Sequence, residues 1–228
     1  MKLSKPTIAI LKNYAAINPN ILFTEGTTLK TVDELGRIMS QATIEDSIET
    51  EFGIYDLNEF LSTLSLFAEV NLEVNEKGDS QYVSITSESQ SSSAKYGCAD
   101  KDILTVPTKS VKMPEADITF TLRADLFNNL KKAASTMGFQ ELTILKDGDS
   151  ISINAADVSG TTSNNYSAKL EGVETTLDKF YVEIPFEILK LFPGDYEVEI
   201  SKGGVSHFKS TSVDIEYWIA LNKTSTFN

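Results

Sequence analysis

The feature that most constrains the fold is a repeat of pattern: the element order predicted for the first half of the 228-residue chain returns in the second. Ser4 can cap a helix with Pro6 in its first turn, and Ile10, Leu11, Tyr14 and Ile17 recur at helical spacing on one face. Asn18-Pro19-Asn20 ends that helix. Strands are predicted over 21–23, 28–32, 38–44 and 48–55, with a Glu25-Gly26 turn after the first. A second helix over 57–67 puts Leu57, Phe60, Leu61, Leu64 and Phe67 on one face. Val70, Leu72 and Val74 then alternate into a Lys77-Gly78-Asp79 turn, and Tyr82, Val83 and Ile85 return.

The second half runs in the same order. A strand over 117–122 leads to a helix over 124–137, with Leu126, Phe127, Leu130, Ala134 and Met137 facing the core and Gly138 ending it. A hairpin turns at Lys146-Asp147-Gly148-Asp149, and strands follow at 166–170 and 180–184. A short helix is predicted over 185–192, stopped by Pro193-Gly194. Tyr196, Val198 and Ile200 alternate into Lys202-Gly203-Gly204, and Phe208 and 215–221 return. The segments AEVNLEVNEKG (68–78) and DYEVEISKGG (195–204) show the echo best. Duplication of a helix–sheet unit predicts two similar α+β domains, over 1–108 and 109–228, joined by a connector at about 99–115. That connector holds Pro107, Pro114 and the apolar Ile103, Leu104, Val106, Val111 and Met113. The Ser-rich stretch 87–93 is predicted to be a mobile loop and 161–165 another.

Charge is sorted onto two of these helices. Residues 2–17 carry Lys2, Lys5 and Lys12 and no acid, and 122–137 carry Arg123, Lys131 and Lys132 against Asp125, so a chain of net −13 holds −18 elsewhere. At 100° per residue, Lys5, Ala9, Lys12 and Ala16 form one stripe with Asn13 beside it. Asn128, Lys131, Lys132 and Ser135 form another. The second helix turns Asn58, Ser62 and Ser65 outward, and the short fourth helix offers Lys190. Taken singly, each lysine is an ordinary solvated charge. Together they predict a polyanion-facing surface on an otherwise acidic body, suited to phosphates rather than base edges, because no helix carries an Arg/Asn/Gln reading cluster.

Catalysis finds little support. His207 and Cys98 are the only residues of their kinds, so a Ser-His-Asp site would have to run through His207, predicted to lie in a strand. Ligand clusters for zinc and glycine-rich phosphate loops are absent, which predicts no cofactor and no metal. Carboxylates such as Glu45-Asp46 and Glu49/Glu51 are spaced as solvated charges. No apolar run approaches a membrane span, no secretory h-region is evident at the start, and one cysteine forms no intrachain disulfide, which fits a reducing compartment.

Several stretches carry a family. The opening Met1-Lys-Leu-Ser-Lys with Leu11-Lys12-Asn13 resembles the sliding clamp, or DNA polymerase processivity factor, of T-even-type bacteriophages. So do Ile54-Tyr55-Asp56-Leu57-Asn58-Glu59-Phe60-Leu61, continued as Leu64-Ser65-Leu66, and Pro193-Gly194-Asp195-Tyr196. The resemblance implies a homotrimeric ring of two-domain subunits, with helices lining a hole around duplex DNA and sheets outside. It implies no enzymatic activity, a replicative polymerase tethered as partner, an ATP-driven clamp loader, a role in phage late transcription, and residence in the cytoplasm of the infected host. On it, Lys5, Lys12, Asn13, Asn58, Asn128, Lys131, Lys132 and Lys190 face DNA. Ile103, Leu104, Val106, Trp218 and Ala220 line a pocket for a partner's C-terminal peptide, although core packing accounts for Trp218 equally well. Tyr96 and Tyr166 lie on edge strands that pair between subunits. Two other readings compete. One is a phage structural or scaffolding protein with a two-lobed acidic fold; the other, a sequence-specific regulator, is disfavoured by the missing base-reading helix.

Overall fold

The structure is a computed structural model that describes residues 1–78, 80–87, 89–108, 111–157 and 164–228. The chain divides into two compact units, Met1–Lys109 and Ser110–Asn228.

In the first unit, α1 (Lys5–Ala15) starts where Ser4 Oγ accepts the Thr7 N–H, with Pro6 in the first turn. It buries Thr7, Ile10, Leu11 and Tyr14. β1 (Ile21–Phe23) pairs with β4 (Phe52–Ile54), and β2 (Gly26–Val32) forms a hairpin with β3 (Ile38–Ile48). Asp33 ties the hairpin turn, accepting from the Arg37 and Ile38 amides at 2.6 and 3.0 Å. β3 runs on through Glu45 and Asp46, where the sequence predicted a break. Asp46 is no free solvated charge: its carboxylate accepts the Ser4 amide at 2.7 Å, fastening the start of α1. α2 (Leu57–Leu64) is capped by Asp56 and ends three residues short of the predicted 67. A tighter turn follows and still buries Phe67. β5 (Asn71–Lys77), β6 (Ser80–Ser87) and β7 (Gln90–Gly97) form an antiparallel meander. Phe23 stacks on Phe52 at 4.4 Å in the core, with Phe60 edge-on.

The predicted mobile loop at 87–93 is therefore mostly strand, apart from Glu88, which lies outside the described residues. Ile85 pairs with Ala94 and Thr86 with Ser93. Ser91–Ser93 are exposed, so their small hydroxyls stay solvated while the backbone completes a ladder. Of the second predicted loop and the first hairpin turn, residues 161–163 and Asp79 lie outside the described residues; Asn165 opens a strand.

In the second unit, β8 (Ile118–Leu122) precedes α3 (Ala124–Met137). Gly138 closes that helix at φ 73°, a left-handed cap that glycine adopts without Cβ strain. β9 (Glu141–Asp147), β10 (Ser150–Ala156), β11 (Asn165–Lys169), β12 (Glu174–Thr175) and β13 (Phe180–Pro185) follow. The chain finishes with β14 (Tyr196–Ser201), β15 (Val205–Ser210), β16 (Ile215–Ala220) and β17 (Thr226–Phe227). One sheet runs β11-β10-β9-β13-β17; in the other, the strands of this unit run β12-β8-β14-β15-β16. β5–β6 and β14–β15 are both hairpins, so the echo at 68–78 and 195–204 is a repeated hairpin arm.

Two helix predictions need correction. Met137 is exposed rather than in the core: the left-handed turn at Gly138 brings Phe139 back, whose amide bonds Ala134 O and whose ring is buried in its place. The fourth helix is only a 3-10 turn, Phe186–Ile188. Ile188, Leu189 and Leu191 are all buried, and they point to different sides of an α-helix; an irregular turn buries all three.

Candidate nucleic-acid interface and partner-docking surface

α1 and α2 pack together, and α1 presents no acid in its first turn. Lys5 and Lys12 border a groove of about 570 Å³ whose other wall is Leu61, Leu64 and Ser65 of α2 and its cap. Lys12 also borders a shallower groove with Asn58 and Ser62. Two cations of α1 and the amide of α2 thus share one face. That face is low because Ser62 and Ser65 turn their hydroxyls back onto helix carbonyls, Asn58 O at 2.8 Å and Ser62 O at 2.6 Å. Asn13 is half-buried and engaged by neighbours. In the second unit, Asn128, Lys131 and Lys132 are exposed along α3, with Lys131 Nζ lying 5.1 Å from the Phe127 ring. Lys190 is exposed too, but it follows the 3-10 turn instead of riding a helix, and it has an interaction of its own.

The four helix lysines share an electrostatic property. Among the described residues Lys5, Lys12, Lys131 and Lys132 form no ion pair, a property they share with strand lysines such as Lys30, Lys77 and Lys209, whereas Arg37, Lys101, Arg123, Lys169, Lys179 and Lys202 each face a carboxylate. Their charge is therefore available to an outside anion, without an internal partner to displace. The acid of α2, Glu59, is partly occupied: its carboxylate accepts the Tyr96 hydroxyl at 2.9 Å.

Tyr96 also bonds Asp56 O and lies edge-on to Phe60, so it holds the start of α2 against β7. Burial and the nearby Glu59 and Asp56 push its hydroxyl well above the usual tyrosine value. Among the described residues β7 pairs only with β6, and β11, which carries the half-buried Tyr166, pairs only with β10, so each ends its sheet.

The predicted peptide-pocket residues differ sharply in exposure. In the first unit Ile103 is 60% exposed and the adjacent Leu104 only 8%, packed against Gly53, while Val106 is half-buried. In the second unit Trp218 and Ala220 are half-buried on β16. Trp218 stacks on His207 at 5.0 Å. His207 in turn bonds Glu199 at 3.2 Å and Glu216 at 2.8 Å, so the histidine ties three strands together. Sequence reasoning missed a network around the buried Glu183, which accepts from Tyr181 Oη and Asn222 Nδ2. It also missed the paired role of Asn18 and Asn20, read only as a helix stop. The NPN spacing after the helix is the one local signal that two amides flank a rigid turn. Among the described residues no group of three His, Cys, Asp or Glu side chains is placed to hold a metal ion, and no helix is long and apolar enough to cross a membrane.

An α+β chain of two units with a cationic helix face in each has the fold of the DNA clamps. Proliferating cellular nuclear antigen from Entamoeba histolytica superposes with a TM-score of 0.67 over 94% of both chains, at 13% identity. Residues 2–103 match the family model of DNA polymerase processivity factors. The sliding clamp of Escherichia phage RB69 is 32% identical over 230 residues, covering 99% of both chains. That of Vibrio phage KVP40 is 30% identical over 226 residues, covering 96% of this chain and 98% of its own. The chain belongs to the phage sliding-clamp family, the DNA polymerase processivity factors.

Proposed function

We propose that three copies of this chain close head-to-tail into a ring around duplex DNA, with one clamp domain on each side of the connector at 99–115. The carrying observation is the exposure of Lys5 and Lys12 along α1 and of Lys131 and Lys132 along α3, none of them in an ion pair among the described residues. Placed toward the hole with Asn13, Asn58, Asn128 and Lys190, they hold the phosphate backbone loosely and without sequence preference, so the ring slides. The edges of β7 and β11, unpaired among the described residues, are the strands through which subunits join, with Tyr96 and Tyr166 packing at the joint. The ring needs no catalytic group: it tethers the replicative polymerase, an ATP-driven loader opens it, and it serves late transcription in the host cytoplasm. Partner C-terminal peptides dock on the connector at Ile103 and Val106, with Leu104 buried beneath as an anchor; on β16, Trp218 and Ala220 are the contacts. Native mass spectrometry at micromolar protein should give a trimer, and protein loaded on nicked circular DNA should be lost on linearisation. A monomer or stable dimer, or equal retention on linear DNA, would refute the ring.

A further inference from the structure

The connector is fastened more tightly than a link between two units requires. Asn18 and Asn20, 1% and 7% exposed, both reach Thr105 from the turn between α1 and β1. Asn18 Nδ2 donates to Thr105 O and Val32 O, each at 2.9 Å. Asn20 Oδ1 accepts the Thr105 amide at 2.9 Å, and the Asn20 amide donates to Asn18 Oδ1 at 3.0 Å. Both backbone groups of one connector residue are thus held by side chains more than eighty positions away. Just upstream, the Ala99 amide bonds Gly53 O at 2.9 Å and Asp100 caps the 3-10 turn Lys101–Ile103. Leu104 seats against Gly53, while the adjacent Ile103 is left projecting into solvent. Burying two amides carries a desolvation cost that is recovered only if their bonds are made, and here they are spent on the backbone beside an exposed isoleucine.

We propose that Asn18 and Asn20 are positioning residues for partner docking: they hold the backbone at Thr105 so that Ile103 and Val106 are presented in a receiving conformation before any partner arrives. Ordering a loop on binding subtracts from affinity, and a segment ordered in advance avoids that loss. The inference rests on the reading of the connector as the docking segment.

The test compares Asn20→Ala, Asn20→Asp and Ile103→Ser in the full chain. The probe is a synthetic peptide carrying the C-terminal residues of the phage's own DNA polymerase, titrated by calorimetry, with hydrogen exchange followed across 99–108. Asn20→Ala should speed exchange there and weaken the peptide about tenfold, as expected if the receiving conformer falls to about a tenth of the population. Asn20→Asp keeps an oxygen acceptor for the Thr105 amide and should restore both. Ile85→Val, a core change in β6 away from the connector, should lower the melting temperature and leave peptide affinity unchanged. Should Asn20→Ala not fold, Asn20→Ser, too short to reach Thr105, is judged by the same criteria. Faster exchange with wild-type affinity, while Ile103→Ser abolishes binding, would overturn the positioning role and leave the docking segment standing. Wild-type affinity in Ile103→Ser would overturn the docking segment and the positioning role with it.

Discussion

Gly53→Ala probes the seat of the connector directly. Gly53 lies in β4, and a Cβ placed on it would sit 2.6 Å from Ala99 O and 2.7 Å from Leu104 Cδ1, where ordinary contact begins at 3.4 Å. The overlap of roughly 0.7–0.8 Å with each atom has two outlets. If the core holds, strain of about 1–3 kcal/mol is stored, the usual cost of one carbon too many. If Leu104 is expelled instead, about 2 kcal/mol of apolar burial is lost, and the backbone at Ala99 must still give way. Either way the first unit is destabilised by about 1–3 kcal/mol, a sizeable part of the 5–15 kcal/mol typical of a domain. Urea denaturation should report the lower midpoint, and exchange of the Ala99 amide, which bonds Gly53 O, should quicken. A wild-type midpoint together with full Ala99 protection would refute the close packing of connector on β4.

Charge, pH and thiol chemistry supply three further tests. Lys12→Glu with Lys131→Glu should lower the salt slope of DNA binding by about one unit per lost phosphate contact while shifting stability by no more than about 1 kcal/mol. A collapse of stability would mean that these side chains hold the fold. Burial, with Glu183 and Glu187 nearby, raises the Glu141 carboxyl above its ordinary value, so the native state binds the proton more tightly than the unfolded chain. Its contribution therefore falls as pH rises through that window, and Glu141→Gln should stabilise at neutral pH, a gain that vanishes on acidification below the ordinary carboxylate range. Chemical denaturation of both proteins from neutral pH down to about pH 3, below the ordinary glutamate value, measures it, and a gain that grows on acidification would contradict the assignment. Burial pushes the Cys98 thiol up to about 11. Iodoacetamide at neutral pH should then modify it about tenfold more slowly than a free cysteine, the scarcer thiolate being offset in part by its greater nucleophilicity. Mass spectrometry of the alkylated fraction over time gives the rate.

Relatedness to the phage clamps was legible in short motifs because they sit on elements whose signals are local. Ser4 with Pro6, Asp56 before Leu57, and Gly138 after Met137 set helix ends through bonds within one turn. The fourth helix failed for a local reason misjudged from sequence: eight residues opening on Pro185 and stopped by Pro193 offered a helix, but three buried neighbours needed more directions than one helical face has. The serine-rich stretch 87–93 failed for the opposite reason. Its composition resembled a loop, and pairing with β6 made most of it a strand.

By itself, then, the sequence determined the start of α1, the glycine end of α3 and the lysine positions along both helices, because each depends on residues within a few positions of one another. Tertiary structure alone decided that Leu104 turns inward while Ile103 does not, that Tyr96 holds the start of α2, and that Asp46 fastens α1. It alone decided that two asparagines grip Thr105. Those outcomes are set by partners some 40 to 87 positions away. Ile103 and Leu104 are chemically near-equivalent neighbours, and only the hollow above Gly53 distinguishes them.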